Sequence, residues 1–331
     1  MQSTASAAHQ GVRHMPDRAA PPLADRLNGL LFFPVTPFAP DGALDLDAFR
    51  AHVRSGVEGG PEGRAGAVFA ACGTGEYHAL DLDEYEAVVA AAVETAAGRV
   101  PVVAGVGHGT ALAKHFAARA RRAGADGLLV LPPYLVTADQ DGLLRHFAEL
   151  AASTDLDLII YQRDNAVLTP ESVVRLSALK QVIGIKDGCG DLDLMQRIIS
   201  AMRTEVPERP FLYFNGLPTA ELTGLAYRGI GVTLYSSAVY CFAPDIALAF
   251  HRALLGGDDT VVNALLDGFY RPLVELRNQG RGYAVSLVKA GVRLAGLEVG
   301  GVRPPLSEPA PQHIKDLAEL IERGRALLAT Q

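Results

Sequence analysis

The sequence predicts an α/β fold, a (β/α)8 TIM barrel with an appended C-terminal helical segment. Three observations support this prediction: eight short apolar runs recur along the chain, longer helix-like segments separate them, and only helical patterns follow the last run. A barrel usually needs ~250 residues. The chain has 331 residues, which leaves room for extensions at both ends.

The apolar runs are mostly continuous rather than alternating, which is typical of parallel strands buried on both faces. They cover residues 29–36, 66–72, 101–107, 126–132, 157–161, 182–186, 210–215 and 231–235. The alternative is a doubly wound open sheet, which usually has fewer strands and a clear phosphate-binding loop. Eight strand–helix units in series favour the closed barrel.

Helical periodicity fills the intervals between the runs, with helices predicted over residues 82–97, 110–123, 139–153 and 169–178. Three of them have start signals: Asp81 precedes the first, Thr110 precedes Ala111-Leu112 in the second, and Thr169 precedes a proline at the first helical position. Later helices are predicted over residues 244–255, 259–278, 283–294 and 312–328. We therefore expect a barrel core over residues 29–243, and the last barrel helix with a helical segment over 244–331.

The bulk properties of the chain exclude several classes of protein. A net charge of −7 offers no basic surface for nucleic acid, and no apolar run reaches the ~18 residues of a membrane span. The three cysteines are far apart and lack C-x-x-C spacing, which indicates a reduced cytoplasmic location. Residues 1–28 lack the apolar stretch of a signal peptide, so we expect a flexible N-terminal tail there.

Lys186 is the residue with the clearest chemical indication. The chain has five lysines, and Lys186 alone ends an apolar strand. With a strand period of two, Val182, Gly184 and Lys186 share one face, and Gly184 leaves room beneath the lysine if that face is the barrel interior. A desolvated neutral amine can attack a carbonyl to form a Schiff base. The alternative is an ordinary strand-end lysine that forms a salt bridge with Asp187.

Tyr161 ends the strand that precedes Lys186 along the chain, and neighbouring barrel strands lie ~4.8 Å apart. A phenol beside the lysine can shuttle protons while a carbinolamine forms and collapses. A tyrosine packed at the rim of the barrel is the alternative. The pair nevertheless favours a catalytic site at the carboxyl ends of the strands, where barrels carry their active sites.

The residues Gly73, Thr74 and Gly75 read as a tight turn after the second strand. Glycines allow backbone N–H groups to converge on an anion, and the threonine hydroxyl adds a donor. This loop suits a carboxylate beside a ketone, although a purely structural turn has the same pattern. No spacing typical of a zinc site, a nucleophile elbow or a phosphate loop occurs, so we expect neither a metal nor a cofactor.

Further candidate contacts follow the ends of the later strands. An arginine suits a second substrate carboxylate through bidentate hydrogen bonds, and hydroxyl and amide groups suit substrate hydroxyls. The candidates are Arg163, Asn215, Ser236 and Ser237. Each is equally compatible with a hydrogen-bonded loop residue.

Four motifs together resemble the dihydrodipicolinate synthase/N-acetylneuraminate lyase family. The resemblance covers residues 30–306, and the motifs keep their order and spacing. They are Gly73-Thr74-Gly75-Glu76, Pro132-Pro133-Tyr134, Tyr161 and Gly184-Ile185-Lys186-Asp187-Gly188. The resemblance implies a Schiff base on Lys186, a proton-relay role for Tyr161, binding of an α-keto carboxylate by the Gly73–Gly75 turn, and a homotetramer.

Departures from the family's motifs narrow the expected activity. Leu135 follows Tyr134 where the synthases carry a second tyrosine, and Ala166 stands where they carry an arginine. Residues 217–219 replace the acidic pair that sialate lyases use to hold polyol hydroxyls. Within the family, the segments Leu131-Pro132-Pro133-Tyr134-Leu135 and Tyr235-Ser236-Ser237-Ala238 resemble members that dehydrate and decarboxylate a keto-deoxy aldarate, and the departures agree with that resemblance. Gln162 stands where that group usually carries asparagine, so we expect this position to bear on fine substrate specificity. The alternatives are an aldolase that releases pyruvate from a 2-keto-3-deoxy sugar acid and a non-catalytic barrel that binds a keto acid.

Overall fold

The computed structural model describes residues 21–60 and 63–329. Its eight strands form one parallel sheet in chain order, and a parallel bridge between Leu31 and Ser236 brings the last strand beside the first. The strands are β1 (Leu31–Phe32), β2 (Ala67–Ala70), β3 (Val102–Val106), β4 (Gly127–Val130), β5 (Asp157–Gln162), β6 (Val182–Asp187), β7 (Leu212–Asn215) and β8 (Leu234–Tyr235). The predicted barrel is confirmed, and the open sheet is wrong.

A short helix, α1 (Leu23–Arg26), precedes β1, and longer helices follow the strands around the outside of the barrel. The outer helices are α2 (Leu46–Glu58), α3 (Leu82–Ala96), α4 (Thr110–Ala123), α5 (Gln140–Ala152), α6 (Pro170–Ser177), α7 (Leu192–Glu205), α8 (Gly224–Gly229) and α9 (Pro244–Gly256). The start signals at Asp81 and Thr169 are confirmed, whereas Thr110 is the first residue of α4 and the N-cap is Gly109, without a side-chain hydrogen bond. The Asp81 side chain accepts from the Glu84 N–H while Glu84 accepts from the Asp81 N–H, and Thr169 caps α6 with Pro170 at its first turn.

The C-terminal segment is helical, as the sequence predicts. Helices α10 (Asp259–Leu265) and α11 (Arg271–Arg277) are joined by the π-helical turn Leu266–Tyr270, so they form one continuous rod. Helix α12 (Tyr283–Leu294) and helix α13 (Pro311–Ala329) complete the segment, and α13 packs against α9, α11 and α12. None of the helices among the described residues has the length and apolar composition needed to cross a membrane.

The barrel interior is filled by large apolar side chains. The rings of Phe33 and Phe69 stack with their centroids 4.6 Å apart, and Leu129, Ile159 and Phe214 pack in the same cluster. Because these side chains fill the barrel, the interior is a packed core, and a cavity opens beyond the carboxyl ends of the strands.

Residues 21–28 depart from the predicted flexible tail over 1–28. They include α1, and the side chains of Leu23 and Leu27 are 3% and 5% exposed within the barrel's interior cluster. Leu23 packs directly on Gly127, where a side chain would meet it. The physical reason is that the amino-terminal end of the barrel needs an apolar cover. Residues 1–20 of the predicted tail lie outside the described residues.

Shortening Leu23 tests the importance of this cover. Leu23→Ala leaves apolar barrel residues without a partner, so we expect the free energy of unfolding to fall by about 2 kcal/mol. Leu255, which is 48% exposed, provides the control, and Leu255→Ala is expected to change stability by less than about 0.5 kcal/mol. Urea unfolding measures both values. Equal values for the two variants would show that the cover contributes no stability.

Candidate active site

A cavity of about 500 Å³ opens at the carboxyl ends of the strands. This is the end of a barrel where catalytic groups converge, and the volume suits a small-molecule substrate. Loops after several strands contribute to its wall. The polar lining side chains are Thr74, Tyr134, Tyr161, Arg163, Asp164, Asn165, Lys186 and Ser236.

Lys186 lies at the base of this cavity and is 4% exposed. Its Nζ atom is 4.3 Å from the centroid of the Tyr161 ring and 4.9 Å from that of Phe33. None of the ion pairs found within residues 21–60 and 63–329 includes this amine. A buried amine that faces aromatic rings and an open cavity is suited to attack on a carbonyl.

A β-bulge in β6 sets the direction in which Lys186 points. Leu158 of β5 pairs with Val182, but Ile159 pairs with Gly184, so Ile183 is the extra residue. Gly184 and Lys186 therefore face the interior, whereas Val182 packs between the sheet and the helices. The prediction that all three share one face is wrong for Val182.

Gly184 has a different role from the one that the sequence suggested. A Cβ atom at this position would lie 2.6 Å from the Leu212 carbonyl oxygen and 3.1 Å from the Phe214 ring. Glycine therefore allows β7 to approach closely, and the space beneath the lysine is filled by Phe214 rather than left open.

Asp187 points away from Lys186, so the alternative of a salt bridge between them is wrong. The fully buried Asp187 carboxylate accepts hydrogen bonds from the Tyr227 hydroxyl and from Gln162 Nε2 at 2.9 Å. The backbone N–H groups of Cys189 and Gly190 donate to the same carboxylate. These donors satisfy the carboxylate on the helix side of the sheet, so Asp187 does not serve as a counter-ion for the lysine.

Gln162 therefore does not contact the cavity. Its side chain is fully buried on the face opposite Tyr161, and its Oε1 atom accepts from the Leu168 N–H. We expected the glutamine at position 162 to bear on substrate specificity, but the position of its side chain does not support this expectation. Strand alternation, applied from Tyr161, gives the outward direction of residue 162.

Tyr161 is held in place by the loop after β7. Its hydroxyl donates to the Gly216 carbonyl oxygen at 2.8 Å, and the Gly216 N–H donates to the Asp187 carbonyl oxygen at 2.6 Å. A Cβ atom on Gly216 would lie 2.8 Å from Lys186 Cγ and 2.9 Å from the Tyr161 ring. Glycine at position 216 thus allows the lysine, the tyrosine and the loop to meet.

The turn after β2 forms the opposite side of the cavity. Gly73 and Thr74 line it, whereas Gly75 is buried behind them and its carbonyl oxygen accepts from the Thr36 hydroxyl at 2.7 Å. Cys72, which precedes the turn, is a packing thiol because burial raises its pKa to about 12. The predicted loop therefore lies at the cavity, with Gly75 as its support.

The four further candidates divide into two pairs. Arg163 lies at the mouth of the cavity, where its Nε donates to Asp164, and Ser236 lies in the wall. Asn215 and Ser237 do not line the cavity, contrary to the prediction. Asn215 is 2% exposed and donates to the Ala220 carbonyl oxygen and to Thr223 Oγ1, so it orders the loop after β7.

Ser237 lies behind the barrel wall, where its hydroxyl approaches the Glu221 carboxyl. Glu221 is buried, its Oε1 atom has no hydrogen-bond partner among the described residues, and burial raises its pKa to about 7. Strand β8 is short, so residues 236 and 237 diverge to opposite sides just beyond its end.

Several residues of the wall were missed by the sequence analysis. Among them are Phe33, which follows β1, and Ala284 and Val285 of α12 in the C-terminal segment. Apolar side chains such as these carry no chemical signal in a sequence. No three His, Cys, Asp or Glu side chains come close enough to hold a metal ion in the part of the chain that the structure describes.

A buried amine that has no counter-ion among the described residues, at the base of a barrel cavity, is the arrangement found in aldolase-type barrels that act through a Schiff base. The chain belongs to the dihydrodipicolinate synthetase family, whose model matches residues 26–323.

Curated relatives share much of the sequence. The chain is 70% identical to the probable 5-dehydro-4-deoxyglucarate dehydratase 1 of Streptomyces avermitilis, over 93% of this chain and 97% of the relative. It is 43% identical to the probable 5-dehydro-4-deoxyglucarate dehydratase of Bradyrhizobium diazoefficiens, over 92% and 94%. Among solved structures, dihydrodipicolinate synthase from Bacillus clausii matches with a TM-score of 0.82 at 25% identity, over 91% of this chain and 99% of that one.

Adding a methyl group at Gly216 tests the packing of the site. Gly216→Ala brings a Cβ atom within 3.0 Å of Lys186 and Tyr161, so one of them must move. We expect reduction of a keto-acid adduct by borohydride to slow at least about tenfold in a protein that stays folded. Gly256, whose Cβ position is open, supplies the control variant Gly256→Ala. An unchanged rate in Gly216→Ala would contradict the described packing.

The raised pKa of Glu221 predicts a pH-dependent stability. The pKa of Glu221 is near 4.5 in the unfolded chain and about 7 in the folded protein, so the folded state binds more protons between these pH values. The contribution of Glu221 to the free energy of unfolding therefore falls as the pH rises through this range. Glu221→Gln removes that loss, and we expect it to stabilise the protein by about 2 kcal/mol more at pH 8 than at pH 5. Urea unfolding at both pH values measures the difference. The same effect at both would contradict the raised pKa.

Proposed function

We propose that the protein is a 5-dehydro-4-deoxyglucarate dehydratase, a hydro-lyase that forms 2,5-dioxopentanoate, carbon dioxide and water. The observation that carries the proposal is the buried Lys186 amine, which faces the cavity and pairs with none of the carboxylates that the structure describes. The names of the curated relatives support this substrate.

The lining residues suggest how a dianionic substrate binds. The N–H groups of Gly73 and Thr74, with the Thr74 hydroxyl, receive the carboxylate beside the ketone, and Gly75 completes the turn. Arg163 receives the distal carboxylate at the mouth, and the Ser236 hydroxyl contacts a substrate hydroxyl. The ketone is then held above Lys186.

The first stage of the reaction uses the lysine and the tyrosine. The Lys186 amine adds to the ketone, and the carbinolamine loses water to give an iminium. Tyr161 passes protons during these steps, since its ring lies 4.3 Å from the amine and its hydroxyl is held by the Gly216 carbonyl oxygen.

The second stage uses the iminium as an electron sink. Loss of a proton from the neighbouring methylene gives an enamine, which expels the adjacent hydroxyl as water and leaves a conjugated iminium. The distal carboxylate then leaves as carbon dioxide, and the bonding electrons move into the conjugated system. Protonation, tautomerisation and hydrolysis release 2,5-dioxopentanoate and restore the lysine.

We further propose a cytoplasmic homo-oligomer, with a homotetramer as the specific expectation. Free thiols at Cys72, Cys189 and Cys241 suit a reduced compartment. The apolar side chains of Leu135 and Val136 are 80% and 60% exposed beside the cavity mouth, and such a surface suits contact with another protein chain.

Product identification tests the proposed reaction. The purified protein, incubated with 5-dehydro-4-deoxyglucarate, is expected to release equal amounts of carbon dioxide and 2,5-dioxopentanoate. Lys186→Ala is expected to abolish turnover, and Tyr161→Phe to lower kcat by about 10²–10⁴-fold. Lys180→Ala, which changes an exposed lysine, serves as the matched control.

Two results would contradict the proposal. Release of pyruvate with a three-carbon aldehyde would make the protein an aldolase that uses the same lysine. Full turnover by Lys186→Ala would remove the Schiff-base mechanism.

A further inference from the structure

We propose that Glu76 and Lys289 are positioning residues, which hold the Gly73–Gly75 turn where its N–H groups meet the substrate carboxylate. The inference rests on the proposed function, because it assigns a support to the carboxylate-binding turn of the same site. Neither residue lines the cavity. Their effect on catalysis therefore acts through the turn.

The two side chains form an ion pair in which both are fully buried. Lys289 Nζ lies 2.6 Å from Glu76 Oε1, and the other carboxylate oxygen accepts from the Arg303 backbone N–H at 3.0 Å. Lys289 also donates to the Gly301 carbonyl oxygen at 2.6 Å and lies 4.2 Å from the centroid of the Phe38 ring. The C-terminal segment thus contacts the Glu76 carboxylate at both oxygens.

The backbone of the turn explains why Glu76 needs an external support. Glu76 has a φ of 53°, in the left-handed region that residues other than glycine adopt at a cost. Its N–H donates back to the Gly73 carbonyl oxygen at 3.1 Å, so its conformation is coupled to the residues that line the cavity. A tether on its side chain therefore fixes the turn as well.

A buried ion pair contributes geometry more than stability. Desolvation of two charges offsets most of their attraction. Apolar residues of similar volume in place of the pair often give a protein of equal or greater stability. An ion pair, in contrast, fixes the distance between specific atoms. Val285, which precedes Lys289 by one helical turn on the same face of α12, lines the cavity. One helix therefore connects the cavity wall to the support of the turn.

The test separates recognition of the carboxylate from reactivity of Lys186. The variants are Lys289→Met, and Lys289→Met/Glu76→Gln, which avoids an unpaired buried carboxylate and keeps the test available if the single variant does not fold. Lys315→Met, at an exposed lysine of α13, is the control. Each protein is labelled by borohydride at a fixed low concentration of pyruvate or of hydroxyacetone, a ketone without a carboxylate.

We expect labelling with pyruvate to slow about tenfold in both variants, which corresponds to loss of one charge-assisted hydrogen bond. Labelling with hydroxyacetone is expected to stay within twofold of the wild-type rate, and Lys315→Met is expected to match the wild type with both ketones. Circular dichroism confirms that the compared variants are folded.

If the folded variants are labelled with pyruvate at the wild-type rate, the inference is overturned and the proposed function remains intact. An equal loss with both ketones would also overturn it, because the defect would then lie at Lys186 and not at the turn. A wild-type protein that is labelled by neither ketone would overturn the proposed Schiff-base function, and the inference with it.

Discussion

The buried Lys186 amine is the constraint on which the rest of the site depends. An isolated charge in a protein interior is costly, and such groups are normally paired or neutralised. Here the nearest carboxylate along the chain, Asp187, faces the opposite side of the sheet, where Tyr227, Gln162 and two N–H groups satisfy it. The aromatic rings of Phe33 and Tyr161 surround the amine instead. The network around Asp187 thus keeps a counter-ion away from the lysine.

Hydrogen bonds join the ends of β5, β6 and β7 and hold Tyr161 beside the Lys186 amine. Gly216 donates to the Asp187 carbonyl oxygen and accepts from the Tyr161 hydroxyl, so one residue couples the lysine strand to the tyrosine. The opposite wall belongs to the turn after β2, and α12 lies close to both walls through Ala284, Val285 and Lys289. The C-terminal segment is therefore part of the architecture of the site and not only a cover for the barrel.

The sequence predicted the barrel, the cavity-lining positions of Lys186, Tyr161, Gly73 and Thr74, and the family. Continuous apolar runs and the order of motifs carry that information over long stretches. It did not predict the directions of Asn215 and Ser237, because loop side chains hydrogen-bond to nearby groups that no periodicity reveals. The bulge at Ile183 breaks strand alternation, and the sequence analysis interpreted the adjacent Gly184 as room beneath the lysine rather than as a mark of the bulge. The burial of Leu23 depends on tertiary contacts.

The most direct test of a nucleophilic Lys186 is to identify the residue that carries the reduced adduct. The protein is incubated with 5-dehydro-4-deoxyglucarate and borohydride, digested, and its peptides are sequenced by mass spectrometry. The structure predicts one modified lysine, at Lys186, since the other lysines do not line the cavity. Modification of another lysine, or substrate turnover without any trapped adduct, would contradict the account.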